Sequence, residues 1–160
     1  MLEIDDQLKG EHADLVVTPV GVGSLAQAVV EHFKRGDTTR ILSVEPDTAA
    51  CLHKSLQRGE SRYEPPVSSI MAGLNCGAVS LISWPLLQCG VDASLTVSDY
   101  ESHVASLFLK TLGISAGPCG AASLAAVRRL TPADKAELGL NQDSVVVLLS
   151  TEGLLDYHVR

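Results

Sequence analysis

One stretch decides the fold: Asp14-Leu-Val-Val-Thr-Pro-Val-Gly-Val-Gly-Ser-Leu-Ala-Gln-Ala-Val-Val30. Its continuous apolar, β-branched run from Leu15 to Val20 predicts a strand that is buried on both faces. The periodicity from Ser24 to Arg35 predicts a helix, which Gly36 would end. Strand, turn and helix follow one another directly, which is typical of a parallel α/β sheet.

The glycine turn of this stretch has more than one interpretation. Gly21 and Gly23 let backbone amides converge on an anion, toward which the positive end of the helix points, so the turn predicts a phosphate cup. Gly21 to Ala26 also matches G-x-G-x-x-A, and Glu45 ends the next strand at the spacing where a dinucleotide fold places the acid that holds a ribose hydroxyl. A structural interpretation is that both glycines only permit close packing of strand and helix.

Composition indicates one globular, soluble domain. With 160 residues, 46% hydrophobic and 19% charged, the chain can bury roughly 70% of its unfolded surface. The net charge of −7 and the lack of any Lys/Arg cluster longer than a pair argue against nucleic acid and membrane partners. The chain has no apolar run of about 18 residues, and its acidic start is unlike a signal peptide, so we expect a cytoplasmic protein.

The remaining pattern alternates strands with helices. Further strands are predicted over Arg40–Glu45, Ser94–Val97 and Ser144–Leu149. Helices are predicted over Thr48–Gln57, Ser83–Gln88, Asp99–Leu112 and Ala121–Leu130, with a short one from Thr131 and a long loop over Ser61–Ser69. This order predicts a single α/β domain over residues 1–160: a three-layer, open twisted sheet, mainly parallel, with helices on both faces.

The cysteines and histidines show no metal-ligating pattern. No C-x-x-C pair occurs, so we expect reduced, mostly buried thiols at Cys51, Cys76, Cys89 and Cys119. Cys119 lies in a Gly-Pro-Cys-Gly turn before a helix, whose amino terminus would lower the thiol pKa. A catalytic thiol is therefore an alternative there, although no His or Asn is placed to form a dyad. No metal site is predicted.

Separated segments carry a family resemblance. They are Pro19-Val-Gly-Val-Gly-Ser-Leu-Ala26, Val44-Glu-Pro-Asp-Thr-Ala-Ala-Cys51, Ser69-Ile-Met-Ala-Gly-Leu-Asn-Cys-Gly77 with Trp84 following, Ile114 to Leu124, and Val145-Val-Val-Leu-Leu-Ser-Thr-Glu-Gly153. In this order they resemble the fold type II pyridoxal-phosphate enzymes of the tryptophan synthase β-like superfamily, nearest the diaminopropionate ammonia-lyase branch. The resemblance covers nearly the whole chain, but it matches only the carboxyl-terminal half of such an enzyme.

The resemblance implies pyridoxal 5'-phosphate as the cofactor of the complete enzyme. Ser150 would place its hydroxyl opposite the pyridine nitrogen, with Thr151 in that role if the register is off by one. A neutral hydroxyl leaves that nitrogen largely unprotonated, which suits elimination. The cofactor phosphate would accept hydrogen bonds from the backbone of Gly21, Val22, Gly23 and Ser24. The mouth of the active site would be lined by Ala72, Gly73 and Leu74.

The chain departs from the family pattern at two points. Pro118 stands where the ammonia-lyases have an acid, which puts the substrate in doubt. The family's catalytic lysine lies far upstream of the phosphate turn, and no lysine here precedes the turn in a family-like context. We therefore assign no catalytic residue among Lys9, Lys34, Lys54, Lys110 and Lys135.

The resemblance implies that this chain is the cofactor-cradling domain of a lyase that eliminates ammonia from a small amino acid such as diaminopropionate. Without the lysine, the chain alone would be catalytically incompetent. Two alternatives stay open, namely an NAD-type dinucleotide-binding module and a non-catalytic structural or oligomerisation fragment. Because half of such a sheet leaves an edge and a surface uncovered, we expect a homo-oligomer.

Overall fold

The computed structural model describes residues 1–35, 38–154 and 156–157. A sheet of four strands forms its centre, with every neighbouring pair parallel. The strands are β1 (Leu15–Pro19), β2 (Arg40–Pro46), β3 (Ala93–Val97) and β4 (Val146–Leu148), in the spatial order β3-β2-β1-β4. The central strand β1 is buried along its whole length, as its apolar run predicts.

The helices cover both faces of this sheet. They are α1 (Leu2–Leu8), α2 (Ser24–Phe33), α3 (Cys51–Arg58), α4 (Trp84–Gly90), α5 (Asp99–Thr111), α6 (Pro118–Arg129) and α7 (Pro132–Glu137), with a 3-10 turn over Ala72–Leu74. None of the helices formed by the described residues is long and apolar enough to cross a membrane.

Two apolar cores, one on each face, follow from the alternation of side chains along β1. Leu15 and Val17 point to the face covered by α5 and α6, whereas Val16 points to the face covered by α2, α3 and α4. The alanines of α6 bring this helix close to the sheet. There the Ser123 hydroxyl lies within hydrogen-bonding distance of two carbonyls, Val17 at 3.3 Å and Leu149 at 3.0 Å. The predicted three-layer α/β architecture is confirmed.

Several predicted boundaries are wrong. Helix α3 begins at Cys51 rather than Thr48, and α6 begins at Pro118 rather than Ala121 because the proline occupies its first turn. Only Val146–Leu148 of the predicted Ser144–Leu149 strand pairs with β1. Helix α1 is absent from the sequence-based prediction, although Met1, Ile4 and Leu8 follow a helical spacing and pack, partly buried, against the core on the α2 face. The helix stop at Gly36 lies outside the described residues.

Candidate functional site

The glycine turn lies at the carboxyl end of β1 and leads directly into α2. Gly23 adopts a left-handed conformation, with φ of 98°, immediately before the helix begins at Ser24. No described residue accepts a hydrogen bond from the N–H groups of Gly21, Val22, Gly23 or Ser24. Unpaired donors at a helix amino terminus, where the helix dipole is positive, form a ready anion site.

The same two glycines are also required by packing. A Cβ on Gly21 would lie 2.9 Å from the carbonyl oxygen of Gly73, and one on Gly23 would lie 2.9 Å from a methyl group of Leu87. Both glycines therefore permit close packing, although their near neighbours belong to the Gly73 segment and to α4 rather than to β1 and α2. This packing does not exclude an anion site. The close contacts are made at the Cα positions, and none of the N–H groups of the turn donates a hydrogen bond to the packed residues.

A cavity of about 220 Å³ lies beside the turn. It is lined by Pro19, Gly21, Val22, Gly23, Ser24, Leu25, Gly73, Leu74 and Thr151. The structure thus brings together three parts of the chain that the sequence analysis singled out separately. Ala72 and Ser150 are not among the lining residues. The cavity lies at the carboxyl end of the central strand, which is where ligands bind in open parallel sheets.

The segment after β4 is held against the start of α6. The Gly117 N–H donates to the Glu152 carbonyl at 3.0 Å, and the Cys119 N–H donates to the Glu152 carboxylate at 2.8 Å. The Ser150 hydroxyl lies 2.9 Å from the place that a Cβ on Gly120 would occupy. Glycine at positions 117 and 120 therefore lets this segment lie directly on the helix.

The predicted lowering of the Cys119 pKa is wrong. The thiol is buried, and its burial, reinforced by the nearby Glu152 carboxylate, raises its pKa to about 11. A thiol with such a pKa is protonated at neutral pH and is a poor nucleophile. The catalytic-thiol alternative is therefore withdrawn. Of the other thiols, Cys51 is buried as expected, whereas Cys89 is exposed.

Glu45 does not face a ligand. Its side chain is fully buried at the end of β2, where its two oxygens accept the Leu52 N–H at 2.8 Å and the His53 N–H at 2.6 Å. The carboxyl group thus caps the amino terminus of α3. Burial raises its pKa to about 7, and the two backbone hydrogen bonds oppose that rise. The role of ribose-binding acid is wrong for this residue, because both of its oxygens are taken up inside the protein.

The lysines lie away from the cavity. Lys34 pairs with Asp92 at 2.6 Å and Lys54 with Glu64 at 3.5 Å, while Lys9 ends α1. None of the residues that line the cavity is a lysine. Across the described part of the chain, no three His, Cys, Asp or Glu side chains are grouped so as to hold a metal ion.

Sequence reasoning missed two contacts beside the cavity. The Cys76 thiol would lie 3.2 Å from a Cβ on Gly21, and the Cys51 thiol lies 3.8 Å from the Gly21 carbonyl oxygen. The tie from Glu152 to α6 was missed as well. These contacts join residues that are 30 to 55 positions apart, and no local pattern indicates them.

Comparison with known proteins places these features in a family context. The family profile described as pyridoxal-phosphate dependent enzyme matches residues 1–152. Diaminopropionate ammonia-lyase from Escherichia coli (strain K12) is 31% identical over 160 residues, covering 88% of this chain and 39% of that protein.

Solved structures show the same likeness. The T.th. threonine deaminase superposes with a TM-score of 0.80 at 29% identity, covering 99% of this chain and 52% of that one. The Escherichia coli diaminopropionate ammonia-lyase in complex with D-serine superposes with a TM-score of 0.81 at 26% identity, covering 94% and 41%. The chain therefore spans between about two fifths and about half of the length of these relatives.

Proposed function

Because the chain belongs to the pyridoxal-phosphate dependent enzyme family, we propose that its glycine turn holds the phosphate group of pyridoxal 5'-phosphate. One observation carries the proposal: the N–H groups of Gly21 to Ser24 have no acceptor among the described residues and lie beside a cavity of about 220 Å³. Phosphate oxygens are acceptors only, so this donor set fits them. Because Gly21 and Gly23 have no side chains, neither residue fills this cavity.

The reaction that we propose for the complete enzyme is elimination of ammonia from a small amino acid, as the name of the related lyase indicates. When bound, pyridoxal phosphate stabilises negative charge on the α-carbon of an amino acid. The residues of this chain bind and orient it. The turn would hold the phosphate, a hydroxyl from Ser150 or Thr151 would face the ring nitrogen, and the Ala72–Leu74 segment would line the mouth of the site.

We further propose that the chain alone does not catalyse this elimination. A lysine is the usual base and covalent anchor for this cofactor, and no lysine lines the cavity. Lys34 and Lys54 are held in ion pairs on other parts of the surface. The chain is thus the cofactor-cradling domain, and the lysine would come from elsewhere in the complete enzyme.

Equilibrium binding tests this proposal without relying on activity. Pyridoxal phosphate is expected to bind at least about tenfold more tightly than phosphate-free pyridoxal, since charge-assisted hydrogen bonds contribute about 1.5–3 kcal/mol each. Inorganic phosphate should compete. Borohydride reduction followed by peptide mass spectrometry is expected to find no lysine that carries the cofactor.

Three outcomes would count against the proposal. Equal affinity for pyridoxal and its phosphate would remove the turn from the site. A single modified lysine after reduction would overturn the claim of incompetence. Tight NAD binding that is lost in Glu45→Ala would favour the dinucleotide alternative instead, although Glu45 is buried and caps α3.

The two hydroxyls after β4 are separated by a matched pair of variants. Thr151 lines the cavity, whereas the Ser150 side chain lies near Gly120. The variant that removes the true partner of the ring nitrogen, Ser150→Ala or Thr151→Val, is expected to weaken cofactor binding by about fivefold, the value of one neutral hydrogen bond. The other variant should leave affinity unchanged. Equal, unchanged affinities in both would show that neither hydroxyl contacts the ring.

We also propose that the chain self-associates through α5. Tyr100, Val104, Leu107, Phe108 and Leu112 are exposed and follow the spacing of one helical face. Sedimentation velocity at micromolar concentration is expected to show an oligomer, and Leu107→Glu should convert it to a monomer. Leu81→Glu, at an exposed position outside α5, is the matched control and should not. A monomeric parent chain would contradict the proposal.

A further inference from the structure

We propose that the open edge of β3 binds an extended, basic segment of another protein by β-strand addition. In this mode of recognition, backbone hydrogen bonds supply affinity and pockets for alternate side chains supply specificity. The site is separate from the glycine turn, because its residues do not line the cavity beside that turn.

The backbone of β3 is available on one side. The strand is the last in the order β3-β2-β1-β4, and it pairs only with β2 within the described sheet. The Asp47 N–H donates to the Val97 carbonyl at 3.0 Å, and Val97 is in register with Pro46. Since alternate residues of a parallel strand bond to the same neighbour, Ala93 and Leu95 also pair with β2. Ser94 and Thr96 therefore turn their N–H and C=O groups to the open side. An added strand would pair with these groups.

The larger of two cavities along this edge, about 520 Å³, lies on the face covered by α6 and α7. Its acidic groups outnumber its basic ones. Asp92 is paired with Arg40 at 3.0 Å and with Lys34 at 2.6 Å, and the Asp134 carboxylate accepts the N–H and hydroxyl of Thr131 at 2.8 and 2.7 Å. Among the described residues, Glu137 is the acid of this cavity that has no such partner. Its apolar lining is Leu42, Leu95, Leu130 and Leu138. Apolar walls beside acidic groups suit a lysine or arginine, whose stem is apolar and whose head is charged.

The second cavity, about 290 Å³, lies on the opposite face of the same edge. His53 is hydrogen-bonded there to Ser94 at 3.1 Å and to Gln57 at 2.9 Å, and burial lowers its pKa, which favours the neutral ring. Leu56, Val91, Ala93 and Asp92 complete the lining. The Asp92 carboxylate is already paired with Lys34 and Arg40. This cavity suits an uncharged side chain. Since strand side chains alternate between faces, the two cavities together fit a segment in which basic and uncharged residues alternate.

Charge argues against a second copy of this chain as the occupant. Two β3 edges that met would bring the Asp134 and Glu137 carboxylates of each copy to the same interface. Like charges across an interface oppose association. A basic strand from another protein meets complementary charge instead.

The test uses a short acetylated and amidated peptide in which lysine alternates with valine. It is expected to bind the whole chain at one site. Thr96→Pro removes one outward N–H from an edge strand, where proline is tolerated, and should weaken binding about tenfold or more. Thr96→Ser keeps that N–H and is its control. Glu137→Gln should weaken binding about two- to fivefold, whereas Glu3→Gln in α1 removes the same charge elsewhere and should not.

A peptide of identical composition with its lysines grouped together serves as the second control. Equal binding of the grouped and alternating peptides would overturn the proposal, because charge alone would then explain it. Binding that is unchanged in both Thr96→Pro and Glu137→Gln would overturn it too. Self-association that Thr96→Pro abolishes would show that the edge takes a second copy and would overturn the proposal. If circular dichroism shows that Thr96→Pro does not fold, binding by Glu137→Gln and by the grouped peptide tests the proposal.

Discussion

Gly21→Ala is expected to weaken pyridoxal phosphate binding by at least about tenfold and to lower the free energy of unfolding by about 2 kcal/mol, as overpacking does. The new Cβ would lie 2.9 Å from the Gly73 carbonyl oxygen and 3.2 Å from the Cys76 thiol. The first of these atoms is backbone. Relief must therefore move either the turn or the Gly73 segment, both of which line the cavity.

Equilibrium cofactor titration and urea unfolding of the same preparations measure both effects. Gly153→Ala is the matched control, because a Cβ there would have no neighbour within 4 Å. It adds the same methyl group close to the site and should change stability by less than about 0.5 kcal/mol, as surface substitutions do. If Gly21→Ala behaves like Gly153→Ala, the turn tolerates a side chain and its close packing against the Gly73 segment is not needed for binding.

Glu45 is expected to make the protein less stable as pH rises from about 4.5 toward 7. Burial raises the pKa of this carboxyl from 4.5 to about 7, so between these values the folded state holds a proton that the unfolded state has released. Stability therefore falls with rising pH in that window. The full effect is on the order of 3 kcal/mol, since one pKa unit corresponds to about 1.4 kcal/mol. Glu45→Gln stays neutral and should not show this fall.

Urea unfolding of both proteins from pH 4 to pH 8 measures the effect as a difference between them. The comparison is needed because burial lowers the pKa of His53, which makes stability rise with pH up to its ordinary value of 6.5. The ion pairs of Asp92 and hydrogen bonds to Glu101 lower the pKa values of those groups, and they act below the window, as pH falls past 3.8 and 4.5. A difference that stays constant from pH 4 to pH 8 would show that the buried carboxyl does not titrate as its environment implies.

Much of the fold could be predicted because its signals are local. The apolar run of β1 is long enough to indicate burial on both faces, and Ser98 with Glu101 forms the capping box that begins α5 at the predicted place. The least accurately predicted helix boundaries are those at which a residue distant in the sequence determines where the helix begins. Helix α3 begins at Cys51, where Glu45 from β2 accepts the N–H groups of its first turn.

The site was predicted in its parts rather than in its arrangement. Gly21 to Ser24, Gly73, Leu74 and Thr151 do meet around one cavity, although Ala72 and Ser150 do not line it. The chain belongs to the family that the motifs resemble, and the roles of these residues toward the cofactor stay predictions. The pKa of Cys119 could not be predicted, because the helix that would lower it is visible in the sequence while its burial is not.

The sequence by itself determined the strand, turn and helix around Gly21 and Gly23, the parallel sheet, and the family. Each rests on patterns within a few residues or on the order of motifs. Only the tertiary structure decided what Glu45 and Cys119 do, which hydroxyl reaches the cavity, and that β3 is an open edge between two cavities. The physical reason is that desolvation, capping by distant residues and strand order depend on which segments pack together, and no local pattern specifies those contacts.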